Sequence, residues 1–183
     1  MLQNLQIIMI GAVAKSHNEA TELRGLFEKQ LKQLYWAEGS MVNMLGGIIQ
    51  NATSKDLVAL LERHRIVTNG HIGRIRDIFT AIGIDAEEQH YEAVHCLLRE
   101  ALEFIAATKP GVVRDAGLIG VLQKIKHYEI ACYGTMRAYA IALREEDVVM
   151  LLEETLNEEK GADLLLTSIA ESHINIEAAD KEI

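Results

Sequence analysis

The sequence predicts an all-α protein built as a four-helix bundle of two antiparallel helix pairs. Of its 183 residues 49% are hydrophobic, 5% are aromatic and one is proline, a composition that favours long helices over strands. Four long segments repeat apolar residues at alternating steps of three and four, so each is expected to turn one apolar face inward.

Capping and turn signals bound the first two helices. The first is expected over residues 18–50. Thr53 followed three residues later by Asp56 resembles a capping box, so the second helix is expected to begin there. It should end at Gly83, because glycine readily adopts the left-handed conformation that terminates helices.

The remaining helices follow from the same signals. A shorter helix is expected over residues 87–107, before the only proline, Pro110. A third long helix is expected over residues 112–143 and a fourth over residues 145–172, whose acidic start suits the positive end of a helix dipole. Short connections within each pair, and the extra helix in the crossover between pairs, give a ferritin-like order.

These signals divide the chain into three expected segments. The bundle domain is expected to cover residues 18–172. Residues 1–17 are expected to form an apolar arm or an extra helix, because they lack the basic start of a signal peptide. Residues 173–183 are expected to be a polar tail that frays.

One acidic residue interrupts each of three apolar faces: Glu38, Glu129 and Glu159. A buried, unpaired carboxylate is so costly that each must be paired, protonated or bound to a metal. The second helix offers His64 and His71 but no acid. At about 1.5 Å of rise per residue the three acids share one layer of the bundle, and Val67 is expected at that depth on the second helix.

Four blocks resemble the YciF/YciE-type ferritin-like stress proteins over about residues 20–172. They read YWAEGSM, ERHRIVTNGHIGRI, VRDAGLIGVLQKIKHYEIACYGTM and TLNEEKGADLLLTSIA. The resemblance implies a dimeric bundle linked to bacterial stress responses, with a dinuclear metal centre of core carboxylates and a histidine. Matched residue by residue, the family's ligand motifs fall on Glu38, His64, Glu129, Glu158, Glu159 and Asp163.

Two ligand positions depart from that pattern. The second helix carries Val67 where the family has a glutamate, and the third long helix carries Lys126 where it has another. A dinuclear site needs its carboxylates to offset several positive charges, so two lost acids and one added ammonium oppose metal binding.

Two arrangements of Lys126 are open. In the favoured one its ammonium replaces the metal, pairing with Glu129 and with Glu38 or Glu159, while His64 donates a further hydrogen bond. In the other, Lys126 turns outward and the three acids with His64 bind one zinc, iron or manganese ion.

The other polar residues near this layer have simpler expected roles. His71 is expected to be a hydrogen-bonded core histidine, and Glu158 to be solvated. Asp163 is open between a metal ligand and a residue that faces water.

The sequence contains no phosphate-binding loop, nucleophile elbow or paired-cysteine metal motif, which argues against hydrolytic and nucleotide chemistry. The favoured function is therefore a non-enzymatic, structural or partner-binding role without a cofactor. The alternative is an iron- or manganese-dependent oxidoreductase, either a ferroxidase or a peroxide-detoxifying protein.

Charge and cysteine usage narrow the setting. A formal charge of −9 argues against nucleic acid or an anionic membrane as a partner. Cys96 and Cys132 lie in apolar helical contexts, as reduced core thiols of a cytoplasmic protein do. A homodimer is expected, with the apolar arm as one contact and an unknown protein partner as the alternative.

Overall fold

A computed structural model describes residues 22–180, and these residues contain no strand. In chain order they form α1 (Leu23–Asn51), α2 (Lys55–Ala81), α3 (Glu92–Ala107), α4 (Val112–Leu143), α5 (Glu146–Ile169), a π-helical turn (Ala170–Ile174) and α6 (Asn175–Asp180). The all-α prediction is confirmed. The predicted arm at residues 1–17 lies outside the described residues and stays a prediction.

The four long helices form two antiparallel pairs, as predicted. A three-residue connection joins α1 to α2, and Arg144 and Glu145 join α4 to α5. The pairs pack together through contacts of α1 with α4 and of α2 with α5. The crossover helix α3 lies on α4, where the ring of Phe104 occupies the space that a side chain at Gly117 would need.

Two apolar clusters fill the bundle, one towards each end. The first includes Leu45, Leu61, Leu122 and Leu166. The second includes Phe27, Phe79, Tyr133 and Leu152. The acidic positions predicted from the sequence fall between these clusters along each helix, so the polar layer is sealed from both ends by apolar packing.

The predicted capping box at the start of α2 is wrong. Ser54 is the N-cap residue, and its side chain accepts a hydrogen bond from the backbone of Leu57. Thr53 instead donates from both its backbone N–H and its hydroxyl to Asp115 on α4. A buried carboxylate satisfies these donors better than a local cap, because a charged acceptor makes stronger hydrogen bonds.

The crossover also differs from the prediction, since α3 begins at Glu92 and not at residue 87. The segment before it runs beside α1, where Gln89 N–H donates to the carbonyl of Lys32.

Cys96 is exposed on α3. Its predicted place in the core is therefore wrong, whereas the Cys132 side chain is half-buried.

Residues 173–180 differ from the predicted frayed tail, whereas residues 181–183 lie outside the described residues. The helical path continues through the π-helical turn to Asp180, and the Ile174 side chain is fully buried. Both the turn and α6 pack on α4. Apolar burial at Ile174 therefore anchors a segment whose overall composition is polar.

Across residues 22–180, every helix falls short of the combined length and apolarity needed to cross a bilayer.

Candidate functional site

A cluster of ionisable side chains lies at the centre of the bundle, and every long helix contributes to it. Each member is at most 7% exposed: Glu38 from α1, His64 and His71 from α2, Lys126 and Glu129 from α4, and Glu159 from α5. The helical period places these residues on inward faces, as the interrupted apolar stripes predict.

Lys126 points into the cluster and connects three of its members. Its Nζ donates to Glu159 Oε2 at 2.6 Å and lies 2.7 Å from His64 Nε2. It also forms an ion pair with Glu129, although that contact lacks hydrogen-bonding angles. Burial alone would lower the pKa of Lys126, but the carboxylates of Glu129, Glu159 and Glu38 raise it more, so the ammonium keeps its charge.

The His64 ring accepts a hydrogen bond from Lys126, which corrects the expectation that it would donate one. An ammonium has only donors, so the contact requires a lone pair on His64 Nε2. Burial, followed by the charges of Lys126 and His71, lowers the pKa of His64 from 6.5 to about 2. The imidazole is therefore neutral in the folded protein.

This neutral histidine makes the fold sensitive to acid. Below its ordinary pKa, His64 takes up a proton only in the unfolded chain, so stability falls as pH falls. From pH 7 to pH 5 the wild type should lose about 2 kcal/mol more unfolding free energy than His64→Gln. Urea unfolding of both proteins at both pH values measures this, and equal losses would contradict a neutral buried His64.

The carboxyl group of Glu129 is buried on α4 beside the ammonium of Lys126. Burial raises the pKa of Glu129 well above its usual range and Glu159 raises it further, while Lys126 offsets part of the rise. Glu129 therefore accepts a proton more readily than an exposed glutamate would, and the ammonium of Lys126 limits that tendency.

Tyr133 is a member of the cluster that the sequence reasoning missed. Its hydroxyl donates a hydrogen bond to Glu38 Oε1. Burial and the Glu38 carboxylate raise the pKa of Tyr133, so the phenol stays neutral and acts as a donor. Its position one helical turn after Glu129 was the available signal, since residues four apart share a helix face.

His71 lies deeper in the cluster than the sequence suggested. Its Nδ1 is 3.2 Å from Glu159 Oε1 and 3.5 Å from Glu38 Oε1, and its Nε2 is 3.0 Å from Glu158 Oε2. Burial lowers the pKa of His71, but the carboxylates of Glu38 and Glu159 raise it more. Glu158 also pairs with Arg74, so the expectation that Glu158 would be simply solvated is wrong.

Two of the expected positions do not join the cluster. Val67 is only half-buried, so α2 supplies His64 and His71 to the layer where the sequence placed the valine. Asp163 is 17% exposed, and its Oδ1 lies 3.4 Å from His127 Nδ1. The alternative with Lys126 turned outward is not the arrangement adopted, because that side chain is 1% exposed.

The residues present do not fit a dinuclear metal centre. Lys126 engages Glu129, Glu159 and His64, three of the expected ligands, and a cation beside them repels a metal ion. The half-buried Val67 supplies no ligand atom. A bridged pair of ions would therefore lack the carboxylate expected at position 67 and would lie against the ammonium of Lys126.

Comparisons with known proteins agree with this architecture. The profile of the family described as "Domain of unknown function (DUF892)" matches residues 22–179. Protein YciF of Escherichia coli (strain K12) is 33% identical over 160 residues, which cover 87% of this chain and 96% of that protein.

Solved structures show the same bundle. The crystal structure of the E. coli stress protein YciF aligns with a TM-score of 0.81 at 33% identity, over 85% of this chain and 98% of that one. YcfI of Rhodopseudomonas palustris, a protein with a proposed structural role, aligns with a TM-score of 0.81 at 31% identity, over 84% and 98%. A Xanthomonas campestris protein shares the fold. It is 17% identical and aligns with a TM-score of 0.72, over 88% of this chain and 99% of that one.

Proposed function

This chain belongs to the DUF892 family, among the YciF-type stress proteins, and from this premise we propose a non-enzymatic role in which the Lys126 ion pairs replace the dinuclear metal centre. The protein would then act as a stable ferritin-like scaffold, through its surface, and would not turn over a substrate. Metal-dependent oxidation is the competing function.

The buried ammonium of Lys126 carries this proposal. It sits among carboxylates from two helices and a histidine from a third, where it supplies the positive charge that a metal would otherwise provide. A buried charge held in this way cross-links the helices and favours one packing arrangement. It offers no redox chemistry.

A structural role is supported by the relative from R. palustris, for which such a role has been proposed. Large apolar side chains exposed on the bundle provide surface for a second copy of the chain or for another protein: Ile66, Leu102, Met150, Leu164 and Leu165. A homodimer and a cytoplasmic location are parts of this proposal, and the free thiols of Cys96 and Cys132 suit a reducing compartment.

The test is elemental analysis of the untagged protein after growth with iron, manganese and zinc, together with assays of ferrous oxidation and peroxide consumption. We expect no stoichiometric metal and no turnover in either assay. Two ions per chain with metal-dependent turnover that is lost in Glu129→Ala would overturn the proposal. Light scattering on the same sample tests the homodimer by its mass.

A gain-of-binding variant sharpens this test. Lys126→Glu combined with Val67→Glu restores both acids that the family pattern contains, so it should bind metal where the parent binds none. The matched control is Lys124→Glu with Val67→Glu, because Lys124 is exposed and pairs with Glu100 on the surface. Equal metal content in the two variants would count against Lys126 as the residue that excludes the metal.

A further inference from the structure

We propose that a cavity between α1, α4 and the start of α3 binds a small, uncharged aromatic molecule of the phenol class. The cavity has a volume of about 220 Å³ and lies in the half of the bundle that contains the second apolar cluster. A scaffold that acts only through contacts with proteins does not need such a site, so the inference goes beyond the proposed function.

Three separate parts of the chain build the cavity. α1 contributes Gln30 and Gln33, and α4 contributes Tyr128 and Cys132. Tyr91, the N-cap residue of α3, completes this part of the lining. Residues three or four apart share a helix face, so each of the two long helices presents its pair on the same side.

The crossover segment that carries Tyr91 is anchored on α1. Gln89 N–H donates to the carbonyl of Lys32 at 3.1 Å. The ring of His90 lies 4.5 Å from the ring of Trp36, in an edge-to-face arrangement. A cavity formed in this way binds a ligand without the entropic cost of ordering a loop first.

The inner end of the cavity is apolar. Leu34 and Met136 line it, and they are 2% and 1% exposed. An apolar ligand that covers these side chains removes their remaining surface from water. A methionine sulfur also makes favourable contacts with aromatic rings, so Met136 favours a ligand that contains one.

The two tyrosines of the lining favour an aromatic ligand more directly. The ring centroids of Tyr91 and Tyr128 are 6.0 Å apart, and the ring planes are inclined by 30°. Aromatic rings attract one another at this range through offset or edge contacts. A ligand ring that enters the cavity can add a third member to this pair, which a saturated ring of the same size does not do.

The polar groups of the lining select an uncharged ligand. Among the described residues the lining contains amide, hydroxyl, phenol and thiol groups and no acidic or basic side chain. Burial raises the pKa of Cys132, and burial with the Cys132 contact raises the pKa of Tyr128, so both stay neutral. A charged ligand would lose hydration without gaining a counterion, whereas a neutral hydroxyl can exchange hydrogen bonds with the amides of Gln30 and Gln33.

The size of the cavity limits the ligand to one ring. A cavity of about 150 Å³ is large enough to hold benzene. Pockets that hold drug-sized molecules begin at about 300 Å³. At about 220 Å³ the cavity lies between these sizes, which suits a single ring with one or two small substituents.

The experiment titrates the full-length protein with p-cresol and follows it by NMR, with ¹³C in the methionine methyl groups. An aromatic ring shifts the resonances of nearby nuclei, so the Met136 methyl signal should move and saturate, with a Kd of about 0.1–1 mM. Met136→Leu assigns this signal by removing it. 4-Methylcyclohexanol lacks the aromatic ring and benzoate carries a charge, so each should bind at least about 5-fold more weakly.

A substitution at the rim tests the location of the site. Ala131 lines the cavity and is exposed, so Ala131→Phe adds a ring there without disturbing the core. It should weaken p-cresol binding by about 10-fold or more, because the added ring occupies the space of the ligand. Tyr91→Leu removes one aromatic wall and should weaken binding by about 3- to 10-fold.

Ala138→Phe is the matched control, since Ala138 is exposed on the same helix two turns later and is not part of the lining. Its affinity for p-cresol should equal that of the wild type. Thermal unfolding without ligand shows whether each variant is folded. No saturable shift in the wild type, equal affinity in folded Ala131→Phe and Ala138→Phe, or equal binding of 4-methylcyclohexanol would overturn the inference.

Discussion

Replacement of Lys126 by methionine is expected to lower the free energy of unfolding by about 3–5 kcal/mol at pH 7. Methionine matches much of the aliphatic length of lysine, so packing changes little. The loss comes from Glu129 and Glu159, which remain buried without the ammonium that they contact. Chemical denaturation of both proteins measures the difference.

The difference in unfolding free energy between the wild type and Lys126→Met should narrow in acid. In Lys126→Met the Glu129 carboxyl loses the ammonium that offsets part of the rise in its pKa, so the folded variant takes up a proton before the unfolded chain does and gains stability as pH falls. Lys124→Met is the matched control: it lies on the same helix, is exposed and pairs only with Glu100, so its effect should be within about 0.5 kcal/mol. A loss in Lys126→Met as small as in this control would show that the buried pairs contribute little.

A double-mutant cycle separates the ion pair from general burial. Glu129→Gln removes a buried carboxylate whose pKa is raised by burial. Combined with Lys126→Met it should destabilise by less than the sum of the two single changes, because the second change removes a charge that the first left unpaired. An additive result would mean that the two side chains do not interact in solution.

Asp115→Ala is the second change with a large expected effect, about 3 kcal/mol of unfolding free energy. The Asp115 carboxylate is 1% exposed and accepts three hydrogen bonds. Thr53 N–H donates at 2.9 Å, its hydroxyl at 2.6 Å, and Ser54 N–H at 2.7 Å. Alanine would leave two backbone donors of the α1–α2 connection unsatisfied beside α4. Thermal and urea unfolding measure the loss.

Two controls isolate this contact. Asp56→Ala removes an aspartate from the first turn of α2 that is 70% exposed, and should cost less than about 1 kcal/mol. Thr53→Val removes only the hydroxyl donor and should cost about 1 kcal/mol. If Asp115→Ala were no worse than Asp56→Ala, the connection between the helix pairs would not depend on this carboxylate.

The fold was predictable because it depends on a repeated pattern. Long apolar stripes determine four helices, and α4 begins and ends where the sequence predicted, at Val112 and Leu143. The errors fall where one distant residue competes with a local signal. Asp115 takes the donors of Thr53, and burial of Ile174 extends a segment that local polarity would leave frayed.

The candidate site was predictable only in part, for a similar reason. Acids at core positions can be recognised from the period of a helix, so Glu38, Glu129 and Glu159 stood out in the sequence. The partner of each acid depends on how the helices are oriented relative to one another. No local sequence pattern specifies that orientation. The sequence therefore predicts His71 as a hydrogen-bonded core histidine without its partners, and it gives no role to Tyr133.

The sequence by itself determined that charged groups lie inside a helical bundle and that Lys126 stands where an acid would be needed for two metals. Only the tertiary structure decided that the ammonium turns inward, that His64 accepts its hydrogen bond, and that His71 faces two carboxylates. The physical reason is that burial follows from local periodicity, whereas the orientation of a charged side chain depends on the electrostatic field of all the charges around it.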